Sequence, residues 1–195
     1  QAEIDQGMQM IMAQYQQMGV LDNLAQQGMS AEDFRLLMER LSKTMLMLLP
    51  GAYVIGGVVA AFVNFLLARQ VLVRLRLPAP SLPPFREWQL PWQFTWGIIL
   101  GLGLWLLGDY YHWRVVMAVG QNIMYVYFPV LLILGLAVAV YFYKTYITSP
   151  PLRAILIMLI LFYIPFFFIM LVGVGLFDPL FNYRRLPTAN KPAGE

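Results

Sequence analysis

Along the first part of the chain, apolar residues recur with a helical period between polar ones. Ile4, Met8, Ile11, Tyr15 and Met18 are spaced this way, with glutamines and acids between them. The pattern predicts an amphipathic helix with a soft, methionine-lined apolar face. The segment holds Glu3, Asp5 and Asp22 but no Lys or Arg. A helix built to lie on an anionic leaflet would be basic, so the pattern points to packing against protein or to an outer surface. Ser30-Ala31-Glu32-Asp33 reads as a second helix start: the hydroxyl can cap free amides, and the acids suit the positive end of the helix dipole. Asp33 stands where a capping box has Glu or Gln. Phe34, Leu37, Met38, Leu41, Met45 and Leu48 then form one apolar stripe, with Arg35, Glu39, Arg40 and Lys43 facing away. Residues 1–44 are therefore expected to be amphipathic helices.

Beyond this point the polar positions drop out of the pattern. Four apolar runs, near 45–67, 92–108, 121–143 and 155–176, approach or reach the roughly 20 residues that cross a hydrocarbon core. Pro50-Gly51 lies near the start of the first run and should bend it or mark where it enters the membrane. Pro78-Ala-Pro80-Ser-Leu-Pro83-Pro84 predicts a stiff non-helical loop, and Phe85, Trp88 and Trp92 suit headgroup depth. The second run is short and carries Gly97, Gly101 and Gly103; Pro129 falls in the third run and Pro165 midway along the fourth. The expected fold is all-α: a transmembrane helical bundle of about four spans over 45–186, preceded by amphipathic helices and followed by a flexible tail at 187–195. The chain opens on Gln1 with no signal-peptide pattern. That fits a processed chain and the C-terminal part of a longer membrane protein equally well.

Composition supports lipid as the solvent. Apolar residues make up 60% and charged residues 12%, against about 25% charged in soluble domains. Mean hydropathy is +0.65. Cysteine is absent, which excludes disulfides and thiolate metal sites. One His and few carboxylates leave little for a metal cluster, and no cofactor is expected. The net charge of +3 comes from arginines mostly near the ends of apolar runs, which reads as membrane orientation and not nucleic-acid binding. If all four runs cross fully, the first and third loops carry six basic residues and the opposite side seven, so the positive-inside rule does not decide. Locally, Arg69, Arg74, Arg76 and Arg86 favour a cytoplasmic loop, and Arg184-Arg185 favours a cytoplasmic tail. Both hold only if one segment is re-entrant, for which the short second run is the natural candidate.

No Asp, Glu, Lys, Arg or His sits mid-span. Ionisable groups in lipid are costly and usually functional, so their absence argues against a proton relay, a voltage sensor or intramembrane hydrolysis. No enzyme activity and no catalytic or metal-ligating residue is expected. Asn64, Gln121 and Asn122 are polar residues in or near spans; they could line a ligand pocket, but interhelical hydrogen bonds are the expectation. Gly97-Ile-Ile-Leu-Gly101 is a GxxxG motif, and Gly56/Ala60 and Gly57/Ala61 are small-residue pairs; packing within the chain is the expectation for these faces, with dimerisation the alternative. His112, between Tyr111 and Trp113, reads as part of an aromatic belt, and the aromatic cluster at 162–168 as a lipid-facing or core surface. Asp178 precedes Arg184 by six residues. An ion pair with Arg184 or Arg185 would pin the chain where it leaves the membrane; a simple interfacial anchor is the other reading.

Gly175-Leu176-Phe177-Asp178-x-x-Phe181-Asn182-Tyr183-Arg184, together with Pro84-Phe85-Arg86-Glu87-Trp88-x-Leu90-Pro91, resembles the C-terminal half of the YybS-like family of bacterial membrane proteins. That family is in turn distantly similar to the substrate-binding S components of energy-coupling-factor transporters. The resemblance implies a multi-pass protein of the bacterial cell membrane with further spans upstream, and a small-molecule-binding or transport role. The alternative is a non-catalytic scaffold or accessory subunit. The partners expected are the lipid bilayer and other membrane subunits, not nucleic acid, and the family supplies no ligand residues to carry over.

Overall fold

The computed structural model describes residues 2–26, 28–147 and 149–186, and every long element among them is a helix. The flexible tail expected at 187–195 lies outside the described residues. The chain divides into two compact units, residues 1–49 and 50–195.

The first unit holds α1 (Ala2–Gln17), α2 (Val20–Gln26) and the opening turns of α3 (Ala31–Arg74). Gly19, at φ 68°, separates α1 from α2, because a left-handed residue ends the ladder and glycine adopts that conformation without a Cβ clash. Asp33 completes the box at the start of α3 despite its short side chain. Its amide donates to Ser30 Oγ at 3.1 Å, and its Oδ2 accepts from the Ser30 amide at 3.2 Å and the Ser30 hydroxyl at 2.6 Å. These Ser30 bonds hold the Asp33 carboxyl below the usual range. Phe34 is buried, with Tyr15 edge-on at 5.4 Å. Lys43 and Glu39 pair at 2.6 Å one turn apart on the solvated face.

The helix does not stop where amphipathic pattern gives way to apolar run; α3 continues through Pro50 to Arg74. Proline removes one amide and crowds the carbonyl four residues back. The next amide, that of Gly51, donates to Asn122 Oδ1 at 2.7 Å, so α5 supplies a partner beside the irregularity.

The second unit comprises α3 from Pro50, α4 (Thr95–Tyr110), α5 (Arg114–Tyr146), α6 (Pro150–Phe162) and α7 (Ile164–Phe181). By length and composition α3, α5 and α7 are long and apolar enough to cross a membrane. Helix α4 has 16 residues and α6 has 13. The fourth run, expected as one span over 155–176 with a proline inside it, is two helices. The break falls at Tyr163 (φ −120°, ψ 37°), leaving Pro165 in the first turn of α7. There its missing amide costs nothing and its ring meets no helical carbonyl.

Helix α5 is the centre of this unit, with α4 packed along one stretch of it and α7 along another. Both seams are made by glycine. A Cβ on Gly120 would lie 2.3 Å from the Trp105 amide, and one on Gly108 2.3 Å from the Met117 amide. Across the other seam, a Cβ on Gly135 would lie 1.9 Å from the Leu171 carbonyl oxygen, and one on Gly175 2.1 Å from that of Leu131. In lipid, where apolar side chains gain nothing by leaving the solvent, such close approach is what holds helices together. The GxxxG pair Gly97/Gly101 packs inside the chain as expected, against Tyr127 and Ile123. Gly56 and Gly57 do not: nothing among the described residues lies within 4 Å of a Cβ there. The buried apolar core is small (Leu131, Leu134, Ala137, Val138 and Leu171), while Tyr53, Val58, Leu106 and Ile169 among many others are exposed. Those outward surfaces suit acyl chains.

Two measurements follow. Gly135→Ala should lower stability in detergent by about 1–3 kcal/mol, as overpacking does, whereas Gly103→Ala, with nothing within 4 Å, should be neutral or slightly stabilising; thermal unfolding of the pair checks this. The depressed Asp33 carboxyl gives a sign for pH. Its capping contribution is present above the ordinary carboxylate range and is lost as pH falls through the lowered folded value. Amide exchange at residues 31–34 should therefore speed up in acid, and Ser30→Ala should abolish that acid sensitivity.

Candidate functional site

The most polar part of the second unit is built where α7 ends. Helix α7 closes on Asn182 in the left-handed conformation (φ 45°), whose amide donates to the Asp178 carbonyl at 2.8 Å. Asparagine tolerates this conformation better than most residues. Its side chain then ties the turn: Nδ2 donates to the Leu186 carbonyl at 2.8 Å, and Oδ1 accepts from the Leu186 amide at 3.0 Å. Arg185, at φ 49°, completes the reversal.

The turn aims Arg184 back under the helix end. Its Nη2 donates to Asp178 Oδ2 at 2.6 Å, with side chains 0% and 2% exposed. Nη1 also donates to the Arg86 carbonyl at 2.6 Å, and Nη2 to the Trp88 carbonyl at 2.8 Å. One planar guanidinium thus joins the end of α7 to the loop that leads into α4. Lysine could not reproduce this fork. The loop is itself organised around Trp88, whose Nε1 donates to the Pro83 carbonyl at 3.1 Å and whose ring meets Phe85 and Phe62 edge-on. Gln89 Nε2 adds a 3.4 Å bond to Asn182 Oδ1. Among the described residues, Asp178 Oδ1 and Arg184 Nε are buried without a partner.

The pairing expected of Asp178 is therefore made with Arg184; Arg185 is exposed and makes no ion pair among the described residues. Asn122 forms the interhelical bond already described, and its Nδ2 donates to the Ala118 carbonyl at 2.8 Å. Asn64 is exposed and Gln121 half-buried, and neither joins a shared site. His112 is exposed beside the Tyr111–Trp113 stack at 5.2 Å. Sequence reasoning missed the acceptors of Arg184 because they are backbone carbonyls. The available signal was that the two distinctive motifs, around 84–91 and 175–184, proved to be the two halves of one contact.

Two cavities flank this region. One, of about 780 Å³, opens between α5, α6 and α7 and is lined by Val138, Phe142, Leu156, Ile160, Phe167 and Val174 among others. Tyr143 and Tyr183 bring the only side-chain hydroxyls described in its wall, and no charged group lines it. The other, of about 460 Å³, has Phe62, Glu87, Trp88, Gln89, Leu134 and Leu186 in its wall. Phe167 is the member of the aromatic cluster that faces the first cavity; Phe162, Phe166 and Phe168 are exposed.

Breaking the buried pair by Asp178→Ala leaves a bare guanidinium, so a loss of about 3–5 kcal/mol is expected; Arg185→Ala should stay within about 0.5 kcal/mol. Double-mutant cycles in detergent should give clear coupling between Asp178 and Arg184 and none between Asp178 and Arg185. Zero coupling in the first cycle would reduce the pair to two independent anchors.

No curated protein and no solved structure matches the chain. A family model does, over residues 1–179, and its description is "Predicted membrane protein (DUF2232)". That match covers most of the sequence and accords with the apolar helices, the glycine seams and the exposed apolar surface, so this chain belongs to that family of membrane proteins.

Proposed function

We propose that this chain is a non-catalytic, small-molecule-binding subunit of a bacterial transport system, and that its ligand is apolar or has a long apolar part. The observation that carries the reading is the cavity of about 780 Å³ among α5, α6 and α7. It has the volume of a ligand site, and it is concave and apolar as such sites are. Its wall offers hydroxyls from Tyr143 and Tyr183 but no charged side chain, which suits an acyl or isoprenoid chain better than a polar vitamin. The resemblance of the 84–91 and 175–184 motifs to a family distantly similar to transporter S components supports the same reading. So does the arrangement of the described residues, among which no nucleophile, base and orienting group are brought together as covalent catalysis requires.

A second reading, a scaffold or accessory subunit, draws on a different observation. Helix α3 leaves Gly56 and Gly57 with open space beside them and exposes Tyr53, Val54 and Val58, as a helix awaiting a partner would.

Gly173 lines the cavity, and a Cβ there meets nothing within 4 Å among the described residues. Gly173→Leu should therefore fill the cavity and leave the fold intact. Native mass spectrometry of protein released from membranes should find an apolar small molecule retained by the parent chain and largely lost from this variant. Equal retention by both, or a parent chain that carries only another protein subunit, would reject the ligand site in favour of the scaffold.

A further inference from the structure

We infer that α7 is a re-entrant half-helix: it enters from the side bearing the arginine-rich loop after α3, turns at mid-depth on the Asp178–Arg184 pair, and at Leu186 heads back toward that same side, the cytoplasm. The ruler is α5. Its 33 residues span about 50 Å, longer than a hydrocarbon core of roughly 30 Å. Helix α4 meets it at Gly108 beside Met117, Gly101 beside Ile123 and Gly97 beside Tyr127. Helix α7 meets it at Leu171 beside Gly135 and Gly175 beside Leu131. Both run antiparallel to α5, but they occupy different halves of it. One turn beyond Gly175 comes Asp178, at the depth where α4 begins. The end of α7 and the start of α4 therefore meet more than about 20 Å from either end of α5, and the guanidinium of Arg184 is the joint between them.

Helix α3 fixes which end is which. Gly51 meets Asn122 and, eleven residues on, Phe62 meets Trp88 at the joint, so this part of α3 runs parallel to α5. It brings Arg69, Arg74 and Arg76 to the end of α5 that carries Lys144. Residues 77–94 then descend to mid-depth, Arg69 holding the Pro80 carbonyl at 3.0 Å on the way, and α4 completes the crossing toward Arg114. Helix α7 begins back at the Lys144 end, where Arg153 donates to the Ile147 carbonyl at 3.2 Å and lies over the Tyr143 ring. It stops at the joint, and the chain reverses through Asn182 and Arg185. Leu186 already shares a cavity wall with Leu82, Pro83 and Leu134, toward the end from which α7 came. Non-helical backbone at this depth is tolerated only where protein buries it and satisfies its polar groups, and Arg184 does so for Arg86 and Trp88.

This path removes the conflict in the charge count. Arg69, Arg74, Arg76, Lys144 and Arg153 gather on one side and Arg114 lies at the other end, with Arg86, Arg184 and Arg185 at the joint between them. The positive-inside rule makes the first side cytoplasmic. The segment that fails to cross is α7, not the short second run.

The chain has no cysteine, so single cysteines report cleanly. Arg74→Cys, His112→Cys and Glu195→Cys would be treated with a membrane-impermeant maleimide in intact bacterial cells and in inside-out vesicles. Cysteines at 74 and 195 should be protected in cells and labelled in inside-out vesicles, and the cysteine at 112 should show the reverse. A green fluorescent protein fused after Glu195, which matures only in the cytoplasm of such cells, should fluoresce, independently of any cysteine. Labelling of 195 from outside together with 112, or a full-length fusion that stays dark, would mean that α7 crosses fully and would overturn the inference.

Discussion

The second unit depends on one guanidinium. Arg184 is buried with its carboxylate and also accepts the task of satisfying two carbonyls from a distant loop. A charge in an apolar medium is tolerated only when opposed and hydrogen-bonded, and this one is opposed by Asp178 and hydrogen-bonded to both chain segments it joins. Remove it, and the end of α7 and the loop before α4 each keep unpaired polar groups with no water to replace the lost partner. The glycine seams hold helices side by side; this contact holds two helix ends tip to tip, where ridges and grooves cannot.

Those seams make a complementary demand. Along α5, Gly120 and Gly135 let α4 and α7 approach to backbone contact, and Gly108 and Gly175 do the same from the facing helices. Close packing of this kind fixes register along the helix axis, since a slide of one residue would set a side chain against a carbonyl. Register in turn fixes the depth of Asp178 and of the loop before α4. The cavity of about 780 Å³ opens beside the second seam, whose Gly135 and Leu171 stand in its wall together with Leu156 and Ile160 of α6.

Much of this was legible in the sequence, because hydrophobic run length and helical periodicity are local properties. The amphipathic stripe from Phe34 onward, the apolar runs and the candidacy of Asp178 for a pair with Arg184 or Arg185 all follow from short-range chemistry; the choice of Arg184 came from the turn. The split of the last run at Tyr163 was less visible. An apolar run reads as continuous whether its proline kinks a helix or opens a new one, and the structure gives Pro165 the second role. The carbonyl acceptors of Arg184 were invisible for another reason: they belong to the backbone, so no residue type announces them. Of the polar residues singled out in the spans, Asn122 is the one that bonds across helices among the described residues, with Gly51, because Pro50 disturbs the helix beside it.

The short spacing between Asp178 and Arg184 bears on how such a chain is made. The turn that brings them together is local, closed by Asn182 onto its own neighbours. The two charges can meet within a few residues of newly synthesised chain, before the end of α7 docks on any other helix. A tip that partitions into lipid then has Arg184 already opposed by Asp178, with only the exposed Arg185 left uncompensated, and the desolvation barrier is lowered at that moment. The loop of Arg86 and Trp88, synthesised about a hundred residues earlier, waits as a docking surface for a tip whose buried arginine arrives already paired.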